Sequence, residues 1–524
     1  MLRLGIDVGG TNTDAVVLDG TRILGVAKTA TTDDVTHGIT TAIATLQALG
    51  TVETAHIGAV MIGTTHFINA LIEADRLAPT AAIRFGLPAT AALPPLTDWP
   101  ERLVTALGGH SFQCHGGHEY DGTAIADLDE TEFRAVVHAA LEAGARSFAI
   151  SSVFSPVNAE LELRAAEIIA EQVPGAQVSL SHEIGRMGIL GRENATIINA
   201  ALRELADTVT SGLTNAVASA GISAPVFLSQ NDGMLMDVDH ARRFPVATFA
   251  SGPTNSMRGA AFLSGVQDCA VVDVGGTSTD VGILQGGLPR QASAEVNVAG
   301  VQTSFRMPDV LSVAIGGGSL VERGGKGVSI GPNSVGHRLA ERALVFGGET
   351  LTASDVAVAA GLVDLGDARL VAGLDRAMVR EALAEVGNRI AGAVSRMRIS
   401  RDPIPLVAVG GGSILVPKVV DGTSSVTRPE NYAVANAIGA AIAEVGGDVD
   451  RVFTVAPGGR EAAMDQARQE AVDRAIAAGA APASIRIVEV EEVPLAYLPG
   501  NATRIRVKAI GDLTLESTGV LDRD

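Results

Sequence analysis

Short apolar runs bounded by glycine alternate along this chain with longer stretches whose apolar residues recur every three or four positions. The runs LRLGIDV (2–8), TDAVVLDG (13–20), SFAISSVFS (147–155), PVFLSQNDG (225–233), CAVVDVG (269–275) and TDVGILQGG (279–287) predict strands. Helical spacing marks 31–50, 158–173, 193–221, 352–366, a stretch around 375–399, and 430–447. Residues 56–74 read as strand, Gly-Thr-Thr turn and helix, and 405–417 as a strand running into a Gly-rich turn. A strand and a charged helix at 451–480 precede two or three strands joined by a PGN turn at 484–513. The alternation predicts an α/β fold.

The phrase DVGGTNTD (7–14) returns as DVGGTSTD (273–280), each copy between two strand-like runs. Each therefore predicts a β-hairpin with a tight glycine turn. Paired glycines leave backbone N–H groups bare, able to approach an anion as a nest for phosphate oxygens. Asp7 and Asp273 end the incoming strands, where a carboxylate can hold Mg²⁺ or its waters. One DVGGT alone reads as a plain hairpin; two copies, each with an acidic strand end, read as a two-jawed phosphate clamp that opens and closes. Other nucleotide motifs fail: GGKG (324–327) lacks the first Gly and the Ser/Thr of a P-loop, and no G-x-G-x-x-G opens a helix after a first strand.

Length and charge narrow the picture. A chain of 524 residues exceeds one core, so at least two domains are expected. Aromatics are only 3%, which suits helices packed through small residues. A formal net charge of −20 disfavours nucleic acid and anionic membrane as partners. No run of eighteen apolar residues predicts a membrane span, the start of the chain does not read as a secretory leader, and two distant cysteines do not form a disulfide framework. A cytoplasmic location is the expectation.

The order of a first hairpin at 7–14, a second at 273–280, the turn VAVGGGS (407–413) and a small-residue helix (431–445) resembles the actin-like ATPase superfamily. Within it, GIDVGGTNTDAVV (5–17), IGTTHFINALIE (62–73), GGHEYDG (116–122), EIGRMGILGRENATIINAAL (183–202), ASGPTNSMRGAAFLSG (250–265), DVGGTSTDVGIL (273–284) and VAIGGGSLV (313–321) resemble the hydantoinase/oxoprolinase family, A-type subunit, over essentially the whole chain. The resemblance implies two actin-like (ribonuclease H-like) ATPase domains around a nucleotide cleft, over 1–180 and 181–447, with a small C-terminal αβ lobe at 448–524. It implies ATP and Mg²⁺ as cofactors, and ATP-dependent opening of a cyclic amide such as a hydantoin, 5-oxoproline or a related lactam. Phosphorylation of the amide oxygen would overcome amide resonance, with the protein supplying position and charge stabilisation.

Carried over by position, Gly9, Gly10, Thr11 and Thr13 would cradle one side of the triphosphate, and Gly275, Gly276, Thr277 and Thr279 the other. Asp7 and Asp273 would act in catalysis as metal ligands, with Asp14 and Asp280 as weaker candidates; Gly410, Gly411 and Gly412 would line the adenosine. His66, at a predicted helix start, is a base or substrate donor on one reading and a capping or packing residue on the other. Ser251 and Gly252 in SGPTNS (251–256) could bind phosphate or form a plain turn, and IGGGS (315–319) could border the substrate cleft. His110, Cys114, His115 and His118 match no standard zinc spacing and are expected in a loop. The chain resembles a short branch of the family, which leaves open a B-type or other partner subunit for the hydrolytic half, and self-association. A reactivating chaperone of the same superfamily and a small-molecule kinase are the alternatives; no Asp stands out as a kinase base.

Overall fold

The computed structural model describes residues 2–10, 12–30, 35–50, 53–185, 187–292, 296–324, 327–455, 458–495 and 502–514. Both copies of the repeat form hairpins. Leu2–Val8 pairs antiparallel with Asn12–Asp19, and Cys269–Val274 with Thr279–Gln285. Each first strand then pairs in parallel with a later one, Ile57–Thr64 in the first half and Ile404–Val409 in the second. A further parallel strand follows on that side, Val226–Ser229 or Thr423–Thr427. On the other side the return strand carries an antiparallel neighbour: Arg22–Ala30 in the first sheet, and Leu288–Pro289 with Val310–Val313 in the second. The duplication read from eight residues thus extends to the strand order of both sheets.

The first sheet continues past Val226–Ser229 through Met234–Asp237, Glu444–Thr454, Ala502–Gly511 and Arg486–Pro494, nine strands in all. The C-terminal αβ segment is therefore built onto the edge of this sheet. Its helix Arg460–Ala477 buries Ala467, Ala471 and Ala475 in a core shared with Ala59, Met61 and Leu235. Residues between 181 and 447 likewise contribute strands to both sheets.

Three local expectations change. The helix expected over 430–447 is only Ala435–Ala441, and Glu444–Thr454 is a strand. A Cβ at Gly447 would lie 2.2 Å from the Ala471 carbonyl, so bare backbone lets this strand run directly against the helix above it. The helix expected over 352–366 is confined to Ala353–Ala359. The His/Cys stretch expected in a loop contains a strand, Ser111–His115, in a separate parallel sheet with Thr80–Leu87, Ser147–Ser152 and Gln177–Leu180. That sheet is joined to the long helix Ile189–Ser219 by a fully buried bidentate pair: Arg84 Nε donates to Glu193 Oε2 at 2.7 Å and Nη2 to Oε1 at 2.5 Å, with Ser151 Oγ adding a bond at 2.7 Å. The PGN turn, and residues 31–34 of the first expected helix, lie outside the described residues.

Two short-contact helices couple the sheets. Ser251–Ser264 packs Met257, Ala260 and Ala261 on Cys269 and Val271 of the second sheet. Ala435–Ala441 packs Ala437, Ile438 and Ala441 on Val16 and Leu18 of the first. They cross where side chains are missing: a Cβ at Gly259 would lie 2.0 Å from the Ala435 carbonyl, and one at Gly439 would lie 1.8 Å from the Asn255 carbonyl. Among the described residues no helix is long and apolar enough to cross a membrane.

Gly439→Ala must force this crossing apart and should destabilise the fold by about 1–3 kcal/mol. Gly392→Ala, on the exposed face of Arg376–Met397 with nothing within 4 Å of its Cβ, should instead stabilise by about 0.5–1 kcal/mol. Urea denaturation of both variants checks the pair.

Candidate functional site

The two hairpin turns have the same construction. Gly9 N–H donates to the Asn12 carbonyl at 3.1 Å, and Gly275 N–H to the Ser278 carbonyl at 2.9 Å. Gly10 is exposed with nothing within 4 Å of its Cβ position, so its backbone is open to a ligand. Gly276 is held from behind: Gly317 N–H donates to the Gly275 carbonyl at 3.0 Å and Gly318 N–H to the Gly276 carbonyl at 2.7 Å. The IGGGS turn (315–319) therefore supports the second hairpin turn. Thr279 donates its hydroxyl to the Ile315 carbonyl at 2.6 Å and belongs to that support. Thr13 is buried below the first turn with its hydroxyl toward Gly38, and Thr277 is exposed at the tip of the second. Thr11 lies outside the described residues.

Strand register places the carboxylates in cross-strand pairs, Asp7 opposite Asp14 and Asp273 opposite Asp280. Burial raises the Asp7 pKa to about 7; the charges of Asp14 and Asp273 add to the rise, while a hydrogen bond from Asn436 Nδ2 at 3.3 Å and the charge of Lys28 act against it. Burial likewise raises Asp273 to about 6, opposed by the Ser256 hydroxyl and reinforced by Asp280 and Asp14. Asp7 and Asp14 thus each feel a carboxylate of the other hairpin, or are felt by it, which puts both acidic pairs in one electrostatic neighbourhood.

The partners of the outer carboxylates differ. Lys28 Nζ lies 2.8 and 2.9 Å from the two Asp14 oxygens, whereas Asp280 accepts from Ser312 Oγ at 2.5 Å. Both remain raised, chiefly by burial. Among the described residues no three His, Cys, Asp or Glu side chains form a metal cage. The donor set instead suits a cation that takes one or two carboxylates and completes its shell with other oxygens.

The late Gly-rich turn abuts the second hairpin. A Cβ at Gly410, where φ is +82°, would lie 2.1 Å from Asp273 Oδ1, and Gly412 N–H donates to the Val274 carbonyl at 2.8 Å. Gly411 meets nothing within 4 Å and presents an open backbone. On the first hairpin the corresponding place belongs to Gly63, whose Cβ would fall 2.7 Å from Asp7 Oδ1 and 2.8 Å from Asn255 Nδ2. Asn255 Nδ2 donates to Ser229 Oγ at 3.0 Å, and its Oδ1 is buried with no hydrogen-bond partner among the described residues.

His66 begins the helix His66–Glu73, with Nδ1 2.6 Å from Thr64 Oγ1. Burial, and secondarily the Arg76 charge, lower its pKa to about 4, so it is neutral at pH 7. It faces a separate cavity of about 450 Å³ with Arg76, Glu204 and Val209. Among the described residues no hydrogen bond joins it to Asp7 or Asp273. Ser251 begins the helix Ser251–Ser264 and donates its hydroxyl to the Thr64 carbonyl at 3.2 Å, so it braces the strand end beside Asp7. Cys114 is buried with its thiol pushed to about 12, His115 pairs with Glu132, and His118 meets Asn158, so this group does not converge. Asn436, Asn255, Ser256 and Lys28 escaped the sequence reading; Asn436, a lone polar residue in a small-residue helix, carried the one visible signal.

Two family models match the chain: the hydantoinase/oxoprolinase N-terminal region over residues 3–173, and hydantoinase/oxoprolinase over residues 192–459. The caprolactamase subunit alpha of Pseudomonas jessenii is 27% identical over 470 residues, covering 84% of this chain and 65% of that protein. The acetophenone carboxylase gamma subunit of Aromatoleum aromaticum is 26% identical over 255 residues, covering 46% of this chain and 34% of that protein. The chain thus spans between about a third and just under two thirds of the length of these relatives. Among solved structures, the ATP-dependent caprolactamase of Pseudomonas jessenii superposes with a TM-score of 0.75 at 20% identity, over 99% of this chain and 90% of that one. A nucleotide-free acetone carboxylase gives a TM-score of 0.71 at 18% identity, over 98% and 88%. These two likenesses fix the fold.

Two outcomes follow from the geometry. Gly410→Ala should destabilise by about 1–3 kcal/mol through its contact with Asp273, while Gly411→Ala leaves the melting temperature within about a degree; thermal melts compare them. His66 binds its proton more weakly folded than unfolded, so stability should rise with pH between about 4 and 6.5, and His66→Gln should flatten that part of the curve.

Proposed function

The chain belongs to the hydantoinase/oxoprolinase family, and from that premise we propose that it is the ATP-dependent subunit that opens a cyclic amide by phosphorylating the amide oxygen. The observation that carries this reading is the meeting of two glycine hairpins around four carboxylates, Asp7 and Asp14 buried and Asp273 and Asp280 half-buried, with Lys28 as the ammonium paired among them. Such a site has surplus negative charge, which a divalent cation relieves and a bare anion does not. The fit to Mg²⁺ and a polyphosphate rests on three features: open backbone at Gly10 and Gly411, raised carboxylates at Asp7 and Asp273, and the unpartnered Asn255 oxygen.

Asp7 and Asp273 would hold the magnesium ion or its waters. The turns Gly9–Asn12 and Gly275–Ser278 would direct backbone N–H groups at phosphate oxygens, and the 410–412 turn would border the adenosine. Bound Mg-ATP supplies the phosphoryl group that makes an amide oxygen a competent leaving group. The residues themselves position and neutralise: Asn436 fixes the Asp7 carboxylate, Lys28 neutralises Asp14, and the 315–319 turn keeps the second hairpin rigid. Neutral His66 suits a hydrogen-bonding role near the strand end rather than a charged one. The relatives named above are subunits, and we infer that a partner subunit supplies the hydrolytic half. Two buried free thiols support a cytoplasmic setting.

The test is phosphate release from Mg-ATP by the pure protein, alone and with ε-caprolactam, hydantoin and 5-oxoproline, repeated with a B-type partner. One ring compound should stimulate release, and Asp7→Asn and Asp273→Asn should each lower the stimulated rate by about a hundredfold or more. A rate blind to every ring compound in both settings, or wild-type turnover in Asp7→Asn, contradicts the reading.

A further inference from the structure

Where the C-terminal strands close on the first half of the chain, they enclose a cavity of about 430 Å³. That is within the range that holds small organic ligands. Met234, Phe244, Val246 and Phe305 give it an apolar wall, and Asp448, Asp450, Val452 and Arg504 from the C-terminal strands close the other side.

On its edge sits a histidine whose ring is held in place. His182 Nδ1 lies 2.7 Å from Glu162 Oε2, and the His182 backbone N–H donates to the same oxygen at 3.0 Å. The other Glu162 oxygen accepts from Ser181 Oγ at 2.5 Å and from the Ser152 N–H at 2.9 Å. Burial acts to raise the Glu162 pKa, but the bonds from His182 and Ser181 outweigh it and leave the carboxyl below its ordinary value, hence ionised. An ionised acceptor holds a proton on Nδ1 and fixes the ring, which leaves Nε2 as its other hydrogen-bonding atom. Among the described residues no hydrogen bond reaches Nε2.

Among the described residues the charges around the cavity are matched among themselves. Arg306 bridges Asp448 and Asp450, Arg504 Nε lies 2.7 Å from Asp450 Oδ1, Lys508 lies 2.9 Å from Asp232, and Arg243 pairs with Glu183. A lining with its charges already compensated favours a neutral ligand over an anion. The wall also reaches the hairpins. Asn231 Oδ1 accepts from the Ala250 N–H at 2.8 Å and its carbonyl from Thr254 Oγ1 at 2.7 Å, at the head of the helix whose Ser251 braces Thr64 beside Gly63 and Asp7.

We propose that this cavity binds a small neutral cyclic amide, its ring on Met234, Phe244, Val246 and Phe305 and its amide group hydrogen-bonded to His182 Nε2. The choice of a cyclic amide rests on the proposed reaction; the cavity and the oriented imidazole do not. Glu162 is a positioning residue that acts through His182.

Isothermal titration of the nucleotide-free protein with ε-caprolactam, hydantoin and 5-oxoproline tests this. The two neutral rings should bind, and the anionic 5-oxoproline should bind at least tenfold more weakly. His182→Phe should weaken the neutral rings tenfold or more, and Ala247→Trp, which fills the cavity, should abolish binding while the variant still melts cooperatively. Gly392→Ala, which does not line the cavity, should bind as the wild type does. The ¹⁵N Nε2 signal of His182 should shift on lactam addition, and Glu162→Gln, which loosens the ring, should diminish that shift. Absence of binding by either neutral ring, equal affinity in wild type and both cavity variants, or tighter binding of 5-oxoproline overturns the proposal. Lactam binding with these variant effects supports it even if phosphate release proves blind to lactams, an outcome that would count only against the proposed reaction.

Discussion

Everything around the site depends on one electrostatic condition: the buried Asp7 and Asp14 and the half-buried Asp273 and Asp280 lie near one another, and Lys28 is the cation bonded to one of them. Burial and mutual repulsion together push Asp7 to about 7 and Asp273 to about 6. A fold keeps such a cluster only if the surrounding structure holds it in place. Here the holding is done by register, since each pair is locked across an antiparallel hairpin, and by the neutral donors Asn436 and Ser312. Surplus charge and open glycine backbone are therefore two halves of one arrangement, a cation on the carboxylates and an anion on the amides.

The fold brings those hairpins together through helices that meet at glycines. Ser251–Ser264 belongs by packing to the second sheet and Ala435–Ala441 to the first, and they touch backbone to backbone at Gly259 and Gly439. The same two helices supply Ser256 and Asn436 to the carboxylates. Relative movement of the two halves must pass through this crossing, so site geometry and domain coupling share residues. The C-terminal strands add a wall to the first sheet and enclose the His182 cavity, which ties the far edge of the sheet to the head of Ser251–Ser264 through Asn231.

Much of this was legible in the order of residues. The repeated DVGGT phrase carries its own strand, turn and acidic strand end, all local properties, so both hairpins formed where the pattern placed them. The α/β class followed from alternating runs. What was not legible depends on long-range contact. Residues 444–447, the start of the strand Glu444–Thr454, looked helical because small residues continue from Ala435, and only the strand's neighbours, Ala502–Gly511 and the helix above it, make them extended. The C-terminal segment looked separate because sheet membership is set by edges far apart in sequence. IGGGS resembled a ligand turn, yet its N–H groups bond the second hairpin turn. Glu162 and His182 lie twenty positions apart in sequence, and nothing local announces that their side chains meet.

The central claim is that the two hairpins close on one Mg-nucleotide. Hydrogen–deuterium exchange of the protein with and without Mg²⁺ and a non-hydrolysable ATP analogue tests it most directly. The account predicts that protection rises at both turns, 9–12 and 275–278, with the same dependence on nucleotide concentration, and that magnesium removal abolishes both. Protection at one turn alone, or at neither, would contradict it.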